Sequence, residues 1–316
     1  MNHDEFIREQ VLRAIALNRI PGYHFCGNFL DLWFEDVHHG RSKVTIKSAP
    51  HVLGADGHMS PVALAVGADF AAATAIRTAG DPSSRLATVS LHLQLTNKPM
   101  SSDLVAYSTL EGFFEDGKGR LGLARVHVES NGQMVAFGTG TFMVLAAPGG
   151  RKLDPIPWIN KRPQNIELPL MSDLSDDERN IVDRSERALV ASKASGTAFL
   201  DEFLNIRTAV HDRVGRAEMS NGPHVGNRVG HVQGGISMGM VIASANAALP
   251  AEWALVGITA SYISPGEGDV LTAYSEIIHK GRLTAVVSTK LLGIEGRLVL
   301  EVTTNHARRQ DGATPT

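Results

Sequence analysis

The chain has 316 residues, a net charge of −3, 43% apolar and 20% charged residues. That is ordinary composition for a protein with its own core and room for two domains, and the charge gives no general attraction to nucleic acid or an anionic membrane. The single cysteine, Cys26, excludes an intramolecular disulfide framework and fits a reducing compartment; with no motif around it, it reads as a packing residue rather than a nucleophile.

The charged start, Met-Asn-His-Asp-Glu-Phe-Ile-Arg, carries no signal-peptide core, so a cytoplasmic location is expected. Residues 4–19 read as an amphipathic helix ended by Pro21-Gly22, followed by short strands over residues 24–34 and 41–48. Ser60-Pro61 then places a cap and an N1 proline at the start of a helix over residues 62–79, almost wholly Ala, Val, Leu, Phe and Ile. Asp69 interrupts it. A carboxylate at a bilayer centre costs roughly 2.5–3.5 kcal/mol, which argues against a membrane span. In a soluble protein, an acid inside such an apolar helix either finds a solvent edge or is held in a pocket for chemistry.

Strands follow over residues 88–95, 104–110, 119–129 and 133–144, separated by the turn signals Asn97-Lys-Pro, Asp116-Gly-Lys-Gly and Asn131-Gly. A Pro/Gly-rich linker over 147–169 leads to a helix over 176–194 behind the capping box Ser175-x-x-Glu178. A strand or two over 203–220 comes next. Then Asn227-Arg-Val-Gly-His-Val-Gln233-Gly-Gly runs into a second small, apolar helix, residues 235–248. Glycines at a helix start let a ligand approach the free N–H groups there, which suits an oxyanion or a thioester oxygen. Strands over 254–263, 270–278, 282–292 and 297–305 and a polar tail over 307–316, expected to be disordered, complete the chain.

The second half repeats the first. Asp103-Leu-Val-Ala-Tyr107-Ser answers Asp269-Val-Leu-Thr-Ala-Tyr274-Ser, and Lys118-Gly119-Arg120-Leu answers Lys280-Gly281-Arg282-Leu. The expected class is α+β, with two tandem units, each an antiparallel sheet wrapped around a central helix. The boundaries read as 1–147, a linker and helix over 148–200, a second unit over 201–306, and the tail.

These features resemble the hotdog-fold acyl-CoA thioesterases. The likeness rests on Asn227, Gln233-Gly234-Gly235, the buried helices, the Lys-Gly-Arg turns and the ending Gly132-Gln-Met-Val-Ala-Phe-Gly-Thr-Gly-Thr-Phe-Met-Val144; it covers roughly residues 40–145 and 205–306. It implies a site between two units, with Asn, His or Gln and a Gly amide from one, and an acid and a Ser or Thr from the other. Here the second half keeps Asn227, Gln233 and Gly234 but has Ile242 at the acid position. The first half keeps Asp69 and, on the following strand, Thr88, but has Gly54, Ser60 and Pro61 where the others belong. Each half lacks what the other retains, which implies one asymmetric site. The resemblance implies thioester hydrolysis with Asp69 as base or nucleophile, no cofactor and no metal, and an acyl-CoA or related thioester as partner. A non-catalytic acyl-CoA-binding module and a hotdog enoyl-CoA hydratase or dehydratase stay open, as does assembly of these pseudo-dimers into a homo-oligomer. A thioester carbon between the two groups would set Asp69 roughly 4–8 Å from Gln233. His231 reads as a loop or packing residue. Lys118, Arg120, Lys280 and Arg282 are either phosphate contacts or solvated turn charges.

Overall fold

The structure is a computed structural model that describes residues 2–115, 119–146 and 152–309. Its first element is helix α1, His3–Asn18, opened by a capping box between Asn2 and Glu5. Residues 24–34 were expected to be a strand. Instead they form a short helix, α2 (Phe25–Phe29), and only then a three-residue strand, β1 (Leu32–Phe34). The run Phe-Cys-Gly-Asn-Phe has no apolar/polar alternation to hold a sheet face. It places Phe25 and Phe29 four residues apart on one helical side, where the rings stack at 5.7 Å.

After β2 (Arg41–Ile46), helix α3 (Pro61–Thr78) starts as its sequence demands, with Pro61 at N1 and the Ser60 hydroxyl accepting from the Val62 N–H. The strands β3 (Arg85–Leu95), β4 (Leu104–Glu115), β5 (Arg120–Ser130) and β6 (Gln133–Leu145) follow. The β5–β6 turn takes positive φ at both Asn131 and Gly132, as a two-residue hairpin requires. The turn at 116–118, with Lys118, lies outside the described residues.

Helix α4 (Asp176–Ser195) carries the Ser175–Glu178 capping box. It packs on α1, where Arg8 forks onto Glu186 and Arg19 onto Glu178. Helix α5 (Phe199–Leu204) takes the first part of the segment expected to be strand, so β7 begins at Arg207 and ends at His211, and β8 spans Val214–Ser220. Phe199 and Phe203 stack at 5.6 Å as Phe25 and Phe29 do, and the two pairs meet, with Phe29 and Phe203 centroids 4.7 Å apart. Each half is thus led by a long helix and a short Phe-x3-Phe helix.

Helix α6 (Gly234–Ala248) and strands β9 (Trp253–Tyr262), β10 (Val270–Lys280), β11 (Thr284–Leu292) and β12 (Leu298–Arg308) complete the chain. β12 runs into the expected tail, because Arg308 still pairs with Trp253; residues 310–316 lie outside the described part.

The twelve described strands form one sheet, in the order β1-β2-β4-β5-β6-β3-β9-β12-β11-β10-β8-β7. Read inward from either edge, the order is the same in both halves. The halves join through antiparallel β3 and β9, in register from Ser90↔Ser261 to Gln94↔Gly257. The sheet curls around α3 on one side of this seam and α6 on the other, and the apolar core lies between.

The two helices run antiparallel in close contact. A Cβ on Gly235 would lie 2.5 Å from the Val66 Cα, and one on Gly239 would lie 2.6 Å from the Val62 Cγ2. Two valines of α3 fill the space left by two glycines of α6. This brings the start of α6 beside the middle of α3, where Asp69 sits.

Candidate active site

The loop before each central helix is built alike. Before α3, Leu53 bridges to Met59, the Gly54 N–H donates to the His58 carbonyl, and the Ser60 N–H donates to the Val52 carbonyl. Before α6, Gly226 bridges to Val232, the Asn227 N–H donates to the His231 carbonyl, and the Gln233 N–H donates to the Val225 carbonyl. Gly54 is therefore the structural counterpart of Asn227, Ser60 of Gln233, and Asp69, nine residues on, of Ile242. Both Ser60 and Gln233 act as N-caps; the Gln233 Oε1 accepts from the Ile236 N–H at 3.0 Å.

The side chains differ, and on one side only they come together over a cavity. Asp69 is 6% exposed. Its Oδ2 accepts from Gln233 Nε2 at 2.7 Å, and its Oδ1 accepts from Thr88 Oγ1 at 3.0 Å. The contact between Asp69 and Gln233 is thus direct, closer than the water-bridged gap expected from sequence. Gln233 can reach because its carbonyl end is spent on the helix cap, which aims its amide end across the helix pair. Thr88 reaches from β3 beside a register shift against β6 that falls between Thr88 and Ser90. Such a bulge turns adjacent residues toward one side, and Leu86, Ala87, Thr88 and Val89 all line the cavity.

Burial lifts the Asp69 carboxyl to about 6, with the hydrogen bonds from Thr88 and Gln233 pulling the other way. At neutral pH it is ionised but close to the value that suits a general base. The Gly234 and Gly235 N–H groups, the first two of α6, meet no acceptor among the described residues. Gly235 is pressed against Val66, but Gly234 faces the cavity, next to Thr88 and Asp69. Asn227 also lines the cavity. Its side-chain oxygen is occupied by the Val229 and His231 N–H groups, so its amide nitrogen is the end left for a ligand.

The structure adds residues that the sequence alone did not single out. Tyr262, from β9 of the second half, donates to the Gly234 carbonyl at 3.0 Å and fixes that peptide. Its phenol is pushed well up by burial and by the Asp69 charge, so it stays a donor. It occupies the first strand after α6, as Thr88 occupies the first strand after α3. His24 stacks on Phe70 at the cavity wall. Its Nδ1 accepts from the Gly27 N–H, and burial lowers it to about 3, so it is a neutral ring.

The cavity has a volume of about 510 Å³ and is open on one side, its floor formed by Asp69, Phe70, Ala73, Thr74 and Arg77 along α3. Ser60 and Ile242 are buried and do not line it. His231 does, paired with Glu267 at 3.2 Å. Arg120 lies over the Phe113 ring and Lys280 over Trp253, and Arg282 is exposed; none of the three faces the cavity. Cys26 is buried and its thiol is pushed up by burial, which keeps it from acting as a thiolate. Among the described residues no group of three His, Cys, Asp or Glu is placed to hold a metal ion, and no helix is long and apolar enough to cross a membrane.

No family model matches the sequence, and no curated protein matches it. Solved structures do match its shape. A protein of unknown function with a hotdog fold from Alicyclobacillus acidocaldarius is 9% identical, with a TM-score of 0.51, over 88% of this chain and 96% of that one. The tesB protein of Mycobacterium avium subsp. paratuberculosis is 15% identical, with a TM-score of 0.50, over 89% and 96%. A protein provisionally named a thioesterase from Novosphingobium aromaticivorans is 14% identical, with a TM-score of 0.53, over 88% and 98%. At these identities the likeness establishes the fold: the chain is a tandem double hotdog.

Proposed function

We propose that this protein is a thioesterase that hydrolyses acyl-CoA, or a closely related acyl thioester, at a single site shared by its two halves. The observation that carries the proposal is the contact of Asp69 from the first half with Gln233 from the second, beside a glycine N–H that meets no acceptor among the described residues. A buried acid is an expensive feature in a pocket for an apolar chain, and a pure binder of such chains would gain from an apolar residue there.

In this reading the thioester carbonyl lies at the start of α6, with its oxygen toward the Gly234 N–H. Asp69 takes a proton from water as the water oxygen attacks the carbonyl carbon. The resulting oxyanion is held by the Gly234 N–H and the positive end of the α6 dipole, a contact whose loss typically costs about 3–4 kcal/mol. On collapse the carbon–sulfur bond breaks, the proton held by Asp69 passes to the thiolate, and free acid and thiol leave. Gln233 and Thr88 keep the carboxylate pointed at the cavity, Tyr262 keeps the Gly234 peptide in place, and the Asn227 amide nitrogen orients the carbonyl or the water.

Free-thiol release across a series of acyl-CoA chain lengths tests this. Turnover by the wild type and its loss in Asp69→Asn support it. Tight binding without thiol release would instead indicate a binding module, and hydration of crotonyl-CoA without thiol release a hydratase.

A further inference from the structure

Two turns beyond Asp69 on the same strip of α3 lies Arg77, about 12 Å further along at 1.5 Å per residue. It lines the cavity together with Arg228, from the loop that carries Asn227. Each guanidinium is only partly satisfied. Arg77 Nη1 donates to the Ser84 carbonyl at 2.7 Å, while its Nε is shut off from solvent and has no acceptor. Arg228 Nη2 donates to the Asp154 carbonyl, while its Nη1 is likewise sealed and without an acceptor. Tyr23 also lines the cavity, with its buried hydroxyl packed against Gly27 of α2.

No carboxylate forms an ion pair with Arg77 or Arg228 among the described residues, although the exposed Asp154 acts on Arg228 from outside. Burial, and for Arg77 also the charge of Arg228, holds both guanidiniums below their ordinary range. Two cations that line one pocket, neither paired with a carboxylate, form an unfavourable arrangement until an anion arrives. Between Arg77 and Asp69 along α3 the lining residues are Phe70, Ala73 and Thr74, and Leu86 and Phe142 add further apolar wall.

We propose that Arg77 and Arg228 form an anion subsite for a carboxylate at the far end of the acyl chain, so that the preferred substrates are thioesters of dicarboxylic acids. This rests on the thioesterase reading above. Planar guanidinium donors suit the two oxygens of a carboxylate. The apolar stretch suits a methylene chain between the two polar ends.

The test compares kcat/KM for adipoyl-, suberoyl- and sebacoyl-CoA with hexanoyl-, octanoyl- and decanoyl-CoA, in the wild type, Arg77→Met and Arg228→Met. Preference for the dicarboxyl member of at least one pair by roughly tenfold or more is expected, with that preference lost in both variants and the neutral substrates changed less than about threefold. No preference in the wild type, or equal loss on both series, would overturn the subsite. The same assay with acyl-pantetheine thioesters identifies the anion. If the effect of the variants disappears when the nucleotide is absent, the arginines hold a CoA phosphate and the proposal fails. Calorimetric binding of free suberate to wild type and Arg77→Met needs no turnover. Suberate bound by the wild type and lost in the variant upholds the subsite even where no thioester is cleaved, which separates its failure from that of the thioesterase reading. Should one methionine variant not fold, the other carries the comparison.

Discussion

The loops before α3 and α6 have the same bridges and the same backbone hydrogen bonds, yet carry opposite chemistry. Gly54, Ser60 and Asp69 stand in one half where Asn227, Gln233 and Ile242 stand in the other. At the first loop a serine caps the helix and does nothing else visible. At the second, a longer glutamine caps the helix with one end and grips the other half's acid with the other. The difference teaches that the backbone of a duplicated unit can be kept while its two copies carry different side chains, the acid in one and the glutamine and asparagine in the other. A second complete site would need a second buried carboxylate, with the desolvation cost that brings.

The comparison can be broken most severely at the acid. Asp69→Asn is expected to lower kcat for thiol release by a factor on the order of 10²–10⁴, the usual contribution of a positioned base. Its fold should survive, since Asn can still accept from Gln233 and donate to Thr88. Placing an acid at the mirror position sharpens the point. Ile242→Asp buries a carboxylate with neither Gln nor a free glycine N–H opposite it, so denaturant unfolding should show a loss of about 3 kcal/mol or more and thiol release should show no gain.

The caps give a matched pair. Ser60→Ala should cost about 1 kcal/mol in thermal unfolding because it removes an N-cap, and Gln233→Ala more, because it also removes the hydrogen bond to the buried Asp69 carboxylate. Only Gln233→Ala should also reduce kcat/KM, by roughly tenfold or more, since it alone releases Asp69.

The remaining expectation is the pH dependence. The Asp69 carboxyl lies at about 6 in the folded chain, above its ordinary value, so the folded state holds the proton more tightly than the unfolded one. Stability from this group is therefore greatest at low pH and falls as pH rises from about 4 to about 6. Asp69→Asn should remove that slope and equal or exceed the wild type above the window, by up to about 3 kcal/mol. Activity should move the opposite way, with kcat/KM rising through about 6 as the base ionises and then levelling.

Much of this was legible in the sequence because it depends on local chemistry. Ser60-Pro61 fixed the start of α3, Asn131-Gly132 a hairpin, and Ser175 with Glu178 the start of α4. Asp69 stood out because an acid in so apolar a helix needs a reason. The helices α2 and α5 were hidden because short aromatic runs hold no period, and what makes them helical is the contact of two phenylalanine pairs far apart in the chain. The same limit hid Tyr262, Tyr23, Arg77 and Arg228. Each looks like an ordinary loop, strand or helix-end residue until the halves close around the cavity.

The central claim is one asymmetric site per chain. A thioether analogue of an acyl-CoA, which cannot be hydrolysed, should bind by calorimetry with one equivalent per chain. A crystal structure of that complex should place the carbon attached to sulfur between Asp69 and the Gly234 N–H. Two equivalents per chain, or an analogue seated beside Ser60 and Ile242, would contradict the account.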